Sequence, residues 1–431
     1  LAMPAKRANG TPRHRRWSPR RGFDFGFAGG ATITLAVVLG LGYLRNQIVE
    51  DMRYKASLEW QDSSCTLLET PTPTEDLSAL GDGHCAFAGG GDFWNTLMTG
   101  SAKAKAGAVW LVNATAGVVR ELEVESGEST PPKLVLHGIY FSRTSRRLYG
   151  VNHDEATGES VEVFDVVGDG DAMRLRHLFS VRSPLFGIFT LNDVVEGVDE
   201  SELYVTEWQP FPFPPGGKAG AVAAPWSLRL GRALGVPIAL LRIRTTRVFR
   251  CTLSTRGSTC EVASSARWVM ANGIAISSDR RSVFVSDPAR RTVTVLERGP
   301  DGSLAQVSEF QTKHILDNIE VDDGNGVPPP GRLIGGSMPL PYSSETVCEE
   351  APELSATRVI GGRTVGCGAS PGGLLSMTLL GTGGRSYVAG TQTDVAMHDG
   401  SKLSGVSSAV QLGGKVAMGS PNSPGVLLCD A

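Results

Sequence analysis

Glu75-Asp76-Leu77, Asn192-Asp193-Val194, Asn272-Gly273-Ile274 and Asp317-Asn318-Ile319 share one pattern: residues bearing carboxylate or amide oxygens directly precede an aliphatic residue. Glu75, Asp76, Asn192, Asp193, Asn272, Asp317 and Asn318 together offer the hard oxygen ligands that calcium prefers. Taken singly, such doublets are ordinary turn formers. At one position of a repeat they become a ligand set, because carboxylates that converge without a cation repel strongly.

The repeat is a polar doublet, a short strand, a turn and a second strand. Asn272-Gly273-Ile274-Ala275-Ile276 leads into Val283-Phe284-Val285, and Asn192-Asp193-Val194-Val195 into Leu203-Tyr204-Val205. His137-Gly138-Ile139-Tyr140-Phe141 leads into Leu148-Tyr149, and Asp317-Asn318-Ile319-Glu320-Val321 into Leu333-Ile334. Glu75-Asp76-Leu77 and Ser407-Ser408-Ala409 are two fainter copies. Six copies at spacings of roughly 45 to 90 residues fit four-stranded blades with insertions. The expected fold is an all-β, six-bladed β-propeller whose doublets converge on a central calcium site. Adjacent strand residues face opposite ways, so one member of a doublet is expected to reach an upper ion and the other a deeper one.

Composition agrees with an all-β chain. Of the 431 residues, 53 are glycine and 25 proline, set between short Val/Ile/Leu/Tyr runs, which favours strands and tight turns over long helices. Hydrophobic residues at 41% and charged residues at 20% support a packed core and exclude global disorder. A net charge of −3 gives no general reason to expect nucleic acid as a partner.

The N-terminal segment differs. Residues 1–25 carry Lys6, Arg7, Arg13, Arg15, Arg16, Arg20 and Arg21 against Asp24 alone, and Gly26 to Leu44 then runs without a charge. As a helix that run spans ~28 Å, close to the ~30 Å hydrocarbon core. A cleavable signal peptide has a shorter apolar region ending in small residues, whereas Tyr43, Leu44 and Arg45 follow here. The reading is a basic cytosolic tail (1–25), a transmembrane signal-anchor helix (26–44), a linker (45–61) and the propeller (62–431). The positive-inside rule makes this a single-pass type II membrane protein with its propeller in the secretory-pathway lumen or outside the cell.

All seven cysteines follow that segment, where disulfides persist. Cys251 and Cys260 flank a hairpin-like stretch that a bridge would staple, while the pairing of Cys85, Cys348 and Cys367 stays open. Asn113-Ala114-Thr115 is a glycosylation sequon, usable in a glycoprotein on that side of the membrane.

At these residues the chain resembles the paraoxonase/arylesterase family, calcium-dependent propeller hydrolases. The resemblance covers roughly residues 62–431, with gaps around 210–247 and 340–385. It is carried by Glu75-Asp76, His137-Gly138-Ile139, Val151-Asn152-His153, Leu191-Asn192-Asp193-Val194-Val195, Ala271-Asn272-Gly273-Ile274, Leu316-Asp317-Asn318-Ile319 and the stretch from Gly414 to Cys429. It implies two calcium ions. Glu75, Asn192, Asn272, Asp317 and Asn318 match the ligands of a catalytic ion; Asp76, Asp193 and the Ile139 carbonyl match those of a structural ion. His137 and His153 match the family's catalytic histidine dyad, and Cys65–Cys429 its propeller-closing disulfide. A lactone or ester oxygen at the catalytic ion, with His137 drawing a proton from water and His153 relaying it, is the implied chemistry.

Two regions depart from the family. Thr206-Glu207-Trp208-Gln209 stands where the family reads Thr-Asn-Asp-His, which bears on substrate range more than on calcium. The insertion at about 209–247 is proline-rich, then apolar and basic; in relatives a helix here touches lipid, and arginines among Leu, Ile and Ala in 217–245 suit an interfacial segment. The resemblance implies hydrolysis of lactones and aryl esters, with weak organophosphate turnover. The alternative is a non-catalytic, membrane-anchored calcium propeller that assists assembly of membrane proteins. A related propeller class, resembling strictosidine synthase, lacks the calcium-ligand doublets.

Overall fold

The computed structural model describes residues 65–127, 131–214, 241–254, 257–323, 331–338, 370–381 and 387–431, with residue 216 and short pieces within 225–231 and 359–364. These belong to one compact unit, 50–431. The basic tail, the 26–44 helix, the linker, Cys348 and Cys367 lie outside the described residues, as does most of 217–245.

The strands meander into five antiparallel-dominated sheets set round an axis, an all-β propeller. Leu191–Glu196, Glu202–Glu207, Val248–Ser254 and Gly257–Val262 form one four-stranded sheet. Ile274–Ile276, Ser282–Asp287, Thr292–Arg298 and Leu304–Gln311 form the next, and Ile315–Asp322, Arg332–Met338, Gly372–Gly381 and Tyr387–His398 the third. A five-stranded sheet runs outward from Leu136–Ser142 to an edge strand, Val124–Ser126, that pairs parallel to Arg174–Val181. The remaining sheet has six strands, because Thr66–Ala79 and Lys415–Asp430, 14 and 16 residues long, pair with each other and each belong to a hairpin of their own.

That sheet corrects the expectation of six blades. The Glu75-Asp76 and Ser407-Ser408 repeats, counted separately in the sequence, share one sheet through these two long strands, so the propeller has five. A repeat count registers leading strands, not the long strands that fuse neighbouring repeats. The expected transmembrane helix is also without support: no helix among the described residues is long and apolar enough to cross a membrane.

Each sheet packs on the next through its alternating apolar residues. Phe87, Leu136, Phe164 and Leu175 fill one such layer, and Tyr204, Trp268, Ile274 and Val283 another, all nearly solvent-free. The innermost strands lie side by side round the axis, Thr66–Ala79 next to Leu136–Ser142, then Leu191–Glu196, Ile274–Ile276, Ile315–Asp322 and Ser408–Leu412, which returns to Thr66–Ala79. Disulfides join Cys65 to Cys429 across the two long strands and Cys251 to Cys260 across a hairpin, while Cys85 is free and half-buried.

The doublets sit where the ladders break. Pairing register shifts between Thr74 and Asp76, Leu136 and Ile139, Leu191 and Val194, and Leu316 and Ile319. A bulge puts extra residues on one strand and re-aims their side chains. The two members of a doublet find different partners there: Glu75 meets Asn318, and Asp76 meets the Ile139 and Leu77 amides. Gly273 shows how close neighbouring sheets come: a Cβ there would stand 2.5 Å from the Asp317 carbonyl oxygen.

Candidate active site

The bulges bring residues that are hundreds of positions apart into direct contact. Asn318 Nδ2 donates to both carboxylate oxygens of Glu75 at 3.0 Å. His137 Nε2 lies 3.7 Å from Glu75 Oε1 and 3.2 Å from Asn192 Nδ2. Asn272 bonds Asp317, and its backbone carbonyl accepts the Thr206 hydroxyl at 2.6 Å. Asp76 accepts the Ile139 amide at 2.7 Å and the Leu77 amide at 2.8 Å. Asp193 accepts the Val194 amide at 2.7 Å and the Ile274 amide at 2.9 Å. The last repeat contributes hydroxyls: Ser407 Oγ donates to the Glu75 carbonyl at 2.5 Å, and Ser408 Oγ accepts the Leu77 amide at 3.0 Å.

This ring is buried and rich in oxygen. Glu75, Asn192 and Asn318 are each about 2% exposed or less. The side-chain oxygens of Asn192, Asn272 and Asn318, from three different sheets, accept no hydrogen bond. Orphaned buried acceptors of this kind cost ~1–3 kcal/mol each, so three at one centre mark a place for a ligand that accepts their lone pairs. A hard cation fits that donor set. Among the described residues no three of His, Cys, Asp and Glu form by themselves a group that could hold a metal ion; the amide oxygens complete this set. Burial, then mutual repulsion, pushes the carboxyls up. Asp317 rises to about 7 through burial and Asp76; Asp76 rises to about 7 through burial. Glu75 and Asp193 are also raised well above the usual carboxyl range, by burial first and by neighbouring carboxyls second.

A proton relay stands against the ring. His137 Nδ1 is 2.9 Å from His153 Nε2, and His153 Nδ1 is 3.0 Å from both oxygens of Glu159. Glu159 is held by the Phe189 and Leu191 amides at 2.9 and 3.0 Å. A carboxylate beside His153 Nδ1 keeps the proton on that nitrogen, which leaves His153 Nε2 as acceptor. His137 then donates from Nδ1 and keeps the lone pair of Nε2 facing the ring. Burial first, and His153 second, hold the His137 pKa well below its usual 6.5, so the ring is neutral at neutral pH and Nε2 is an acceptor, within reach of the Asn192 amide N–H.

Aromatic side chains cover the relay. Phe93, in the helix Phe93–Thr99, lies 4.6 Å from the His137 ring; Phe189 stacks on His153 at 4.4 Å; Trp208 stands edge-on to His137 at 6.0 Å. Trp208 is pinned by its Nε1–H, which donates to the Phe189 carbonyl at 3.0 Å. Its neighbour Glu207 is turned away and bound twice by Arg247, at 2.7 and 2.8 Å. Sequence reasoning missed Glu159, Phe93 and Phe189. Only the short interval from His153 to Glu159 hinted that the acid would fold back on the dyad.

Fold and site define a class: a β-propeller with an axial oxygen ring and a histidine relay beside it. Residues 251–334 match the arylesterase family model. The chain is 32% identical over 71 residues to human serum paraoxonase/lactonase 3, covering 16% of this chain and 19% of that one. It is 38% identical over 56 residues to rat serum paraoxonase/arylesterase 2, covering 13% and 16%. The matches span less than a fifth of each relative's length. Over those stretches the chain is similar to the arylesterase family model and to these two paraoxonases. Among solved structures, a gluconolactonase from Xanthomonas campestris aligns at 14% identity over 86% of this chain and 90% of that one, TM-score 0.43. The periplasmic gluconolactonase of Pseudomonas aeruginosa aligns at 12% over 82% and 80%, TM-score 0.39.

Proposed function

We propose that this protein is a calcium-dependent hydrolase of lactones and aryl esters. The observation that carries the reading is the juxtaposition of the three orphaned amide oxygens with His137 Nε2, which faces the ring 3.7 Å from Glu75 and 3.2 Å from Asn192 Nδ2. Glu75, Asn192, Asn272, Asp317 and Asn318 would hold a calcium ion that polarises the substrate carbonyl and stabilises the charge developing on its oxygen. Asp76 and Asp193, with the Ile139 carbonyl, would hold a second, structural ion. His137 Nε2 takes the proton from the attacking water; His153, its Nδ1 fixed by Glu159, accepts the charge through the shared hydrogen bond. Phe93, Phe189 and Trp208 exclude bulk water and offer an aromatic wall, which suits an aryl or alkyl leaving group. Two disulfides within the described residues support a propeller that matures in an oxidising compartment.

The test is hydrolysis of a lactone panel and phenyl acetate by the purified chain, before and after chelation and after calcium is restored. Turnover that is lost with chelator and regained with calcium is expected. Turnover indifferent to the chelator ends the reading.

A further inference from the structure

Residues that follow three of the doublet positions on their strands, Tyr140 after His137-Gly138, Ile274 after Asn272-Gly273 and Glu320 after Asp317-Asn318, face a common space at the end of the ring away from the histidines. At that end lies a cavity of about 140 Å³, lined among others by Tyr140, Arg143, Arg280, Glu320 and Asp323. Tyr140, Ile274, Ile319 and Glu320 also line a narrow cleft of about 10 Å³ that reaches Asp76, Asp193, Asn318 and Ser408. Cavity and cleft share these four lining residues, and the cleft ends at the carboxylates of the ring.

Resting on the calcium reading above, we propose that this vestibule is the route by which a divalent cation enters and leaves the ring, with Glu320 as relay carboxylate and the Arg143–Asp323 pair across the mouth. The two ends of the axis differ in what they let pass. At the histidine end an ion must shed its water against Phe93, Phe189 and Trp208, and an unpaired charge in apolar surroundings is strongly disfavoured. At the other end each step offers oxygen. The arginines there are already engaged: Arg143 pairs with Asp323 at 2.9 Å, and Arg280 lies 3.6 Å from Glu196 and donates to the Glu196 and Gly197 carbonyls at 2.9 and 3.2 Å. Glu320 accepts from Ser78 Oγ at 3.1 Å and the Ala79 amide at 3.2 Å, and no arginine among the described residues is ion-paired with it. Its carboxylate stands between the mouth and Asp76. The mouth is held from the other side by Ser278, whose hydroxyl donates to Asp323 at 2.5 Å. Arg143 and Ser278 are exposed, so the mouth opens by a surface side-chain movement and leaves the sheets in place.

The experiment mixes the calcium-loaded chain with excess fluorescent chelator and follows calcium release by stopped flow, with bound calcium per chain measured beforehand. Ser278→Trp, which fills the mouth, is expected to slow the slower release phase about tenfold, and Arg143→Ala to speed it about tenfold. Ser278→Ala, which loses the same hydroxyl without filling the mouth, should not slow it, and Trp208→Ala at the other end should leave it within about twofold. Thr144→Trp, at an exposed position on the same mouth, serves if Ser278→Trp does not fold. Release from all variants at the wild-type rate, or acceleration by Trp208→Ala in place of Arg143→Ala, overturns the vestibule and leaves the hydrolase reading standing. A wild-type chain that binds no calcium overturns both.

Discussion

Gly138 lies against Asp193 of the neighbouring sheet so closely that a Cβ at 138 would stand 2.3 Å from the Asp193 Oδ1 atom and 2.5 Å from its Cα. The missing side chain sets the distance between two sheets at the height of the oxygen ring. Gly138→Ala must push Leu136–Ser142 away from Leu191–Glu196, and overpacking of this kind costs about 1–3 kcal/mol. The expected result is a lower urea midpoint together with weaker calcium retention; an unchanged midpoint would show that the sheets can separate freely here.

His137→Gln keeps a polar side chain but removes the base, and should lower kcat for lactones about a hundredfold or more with the circular dichroism spectrum intact. Glu159→Gln acts through His153, so it should cost less in rate and still change the pH–rate profile. Because His137 is held below the usual histidine range, wild-type activity should be flat through neutral pH and fall only on the acid side. A profile whose acid limb lies at or above pH 6.5 contradicts the assignment of His137 as base.

Stability without calcium should move against the usual direction for acids. Asp76 and Asp317 titrate at about 7 in the fold against 3.8 in the unfolded chain. Between those values the native state binds more protons, so stability falls as pH rises from about 4 to 7. Calcium, which favours the ionised carboxyls, should reverse the trend and release protons on binding. Urea titrations at pH 5 and pH 7.5, with chelator and with calcium, read this directly. A chelated chain more stable at pH 7.5 than at pH 5 would sink it.

Trp208→Ala removes an edge-on neighbour of His137 and the anchor on Phe189. The KM for aryl esters should rise about tenfold, the scale of losing ~1.4 kcal/mol of aromatic contact, and small aliphatic lactones should be affected less. Equal changes for both substrate classes would make Trp208 a packing residue only.

Breaking Cys65–Cys429 by the double alanine change closes no cavity but frees two distant strands. The chain-entropy account gives ~5–6 kcal/mol for so long a loop, as an upper figure. Chemical denaturation of the variant should show a loss of several kcal/mol; no loss would mean that strand pairing alone holds the ring.

Much of this site was legible because chemistry and position coincided in the doublets. Glu75, Asn192, Asn272, Asp317 and Asn318 announce themselves as oxygen donors, and their shared place in a repeat predicts that they meet. What stayed hidden depends on features without a residue signature. The bulges at 75, 137–138, 192–193 and 317–318 are properties of the paired strand, not of the residues themselves. Glu159 belongs to no repeat and reaches His153 only because the turn after it folds back. The number of sheets was misread for the same reason: nothing local in Thr66–Ala79 or Lys415–Asp430 says that each strand serves two neighbours at once.

The pairing of Thr66–Ala79 with Lys415–Asp430 also sets an order of events for a chain made from its N-terminus. Among the described strands the partner of the first is made last, so the ring stays an open arc until Lys415–Asp430 has been synthesised. Through that interval an N-terminal strand edge is unpaired, and unpaired edges invite association with other chains. Contacts this distant in sequence also close slowly. Yield in cells should therefore be limited by ring closure more than by the stability of the finished fold.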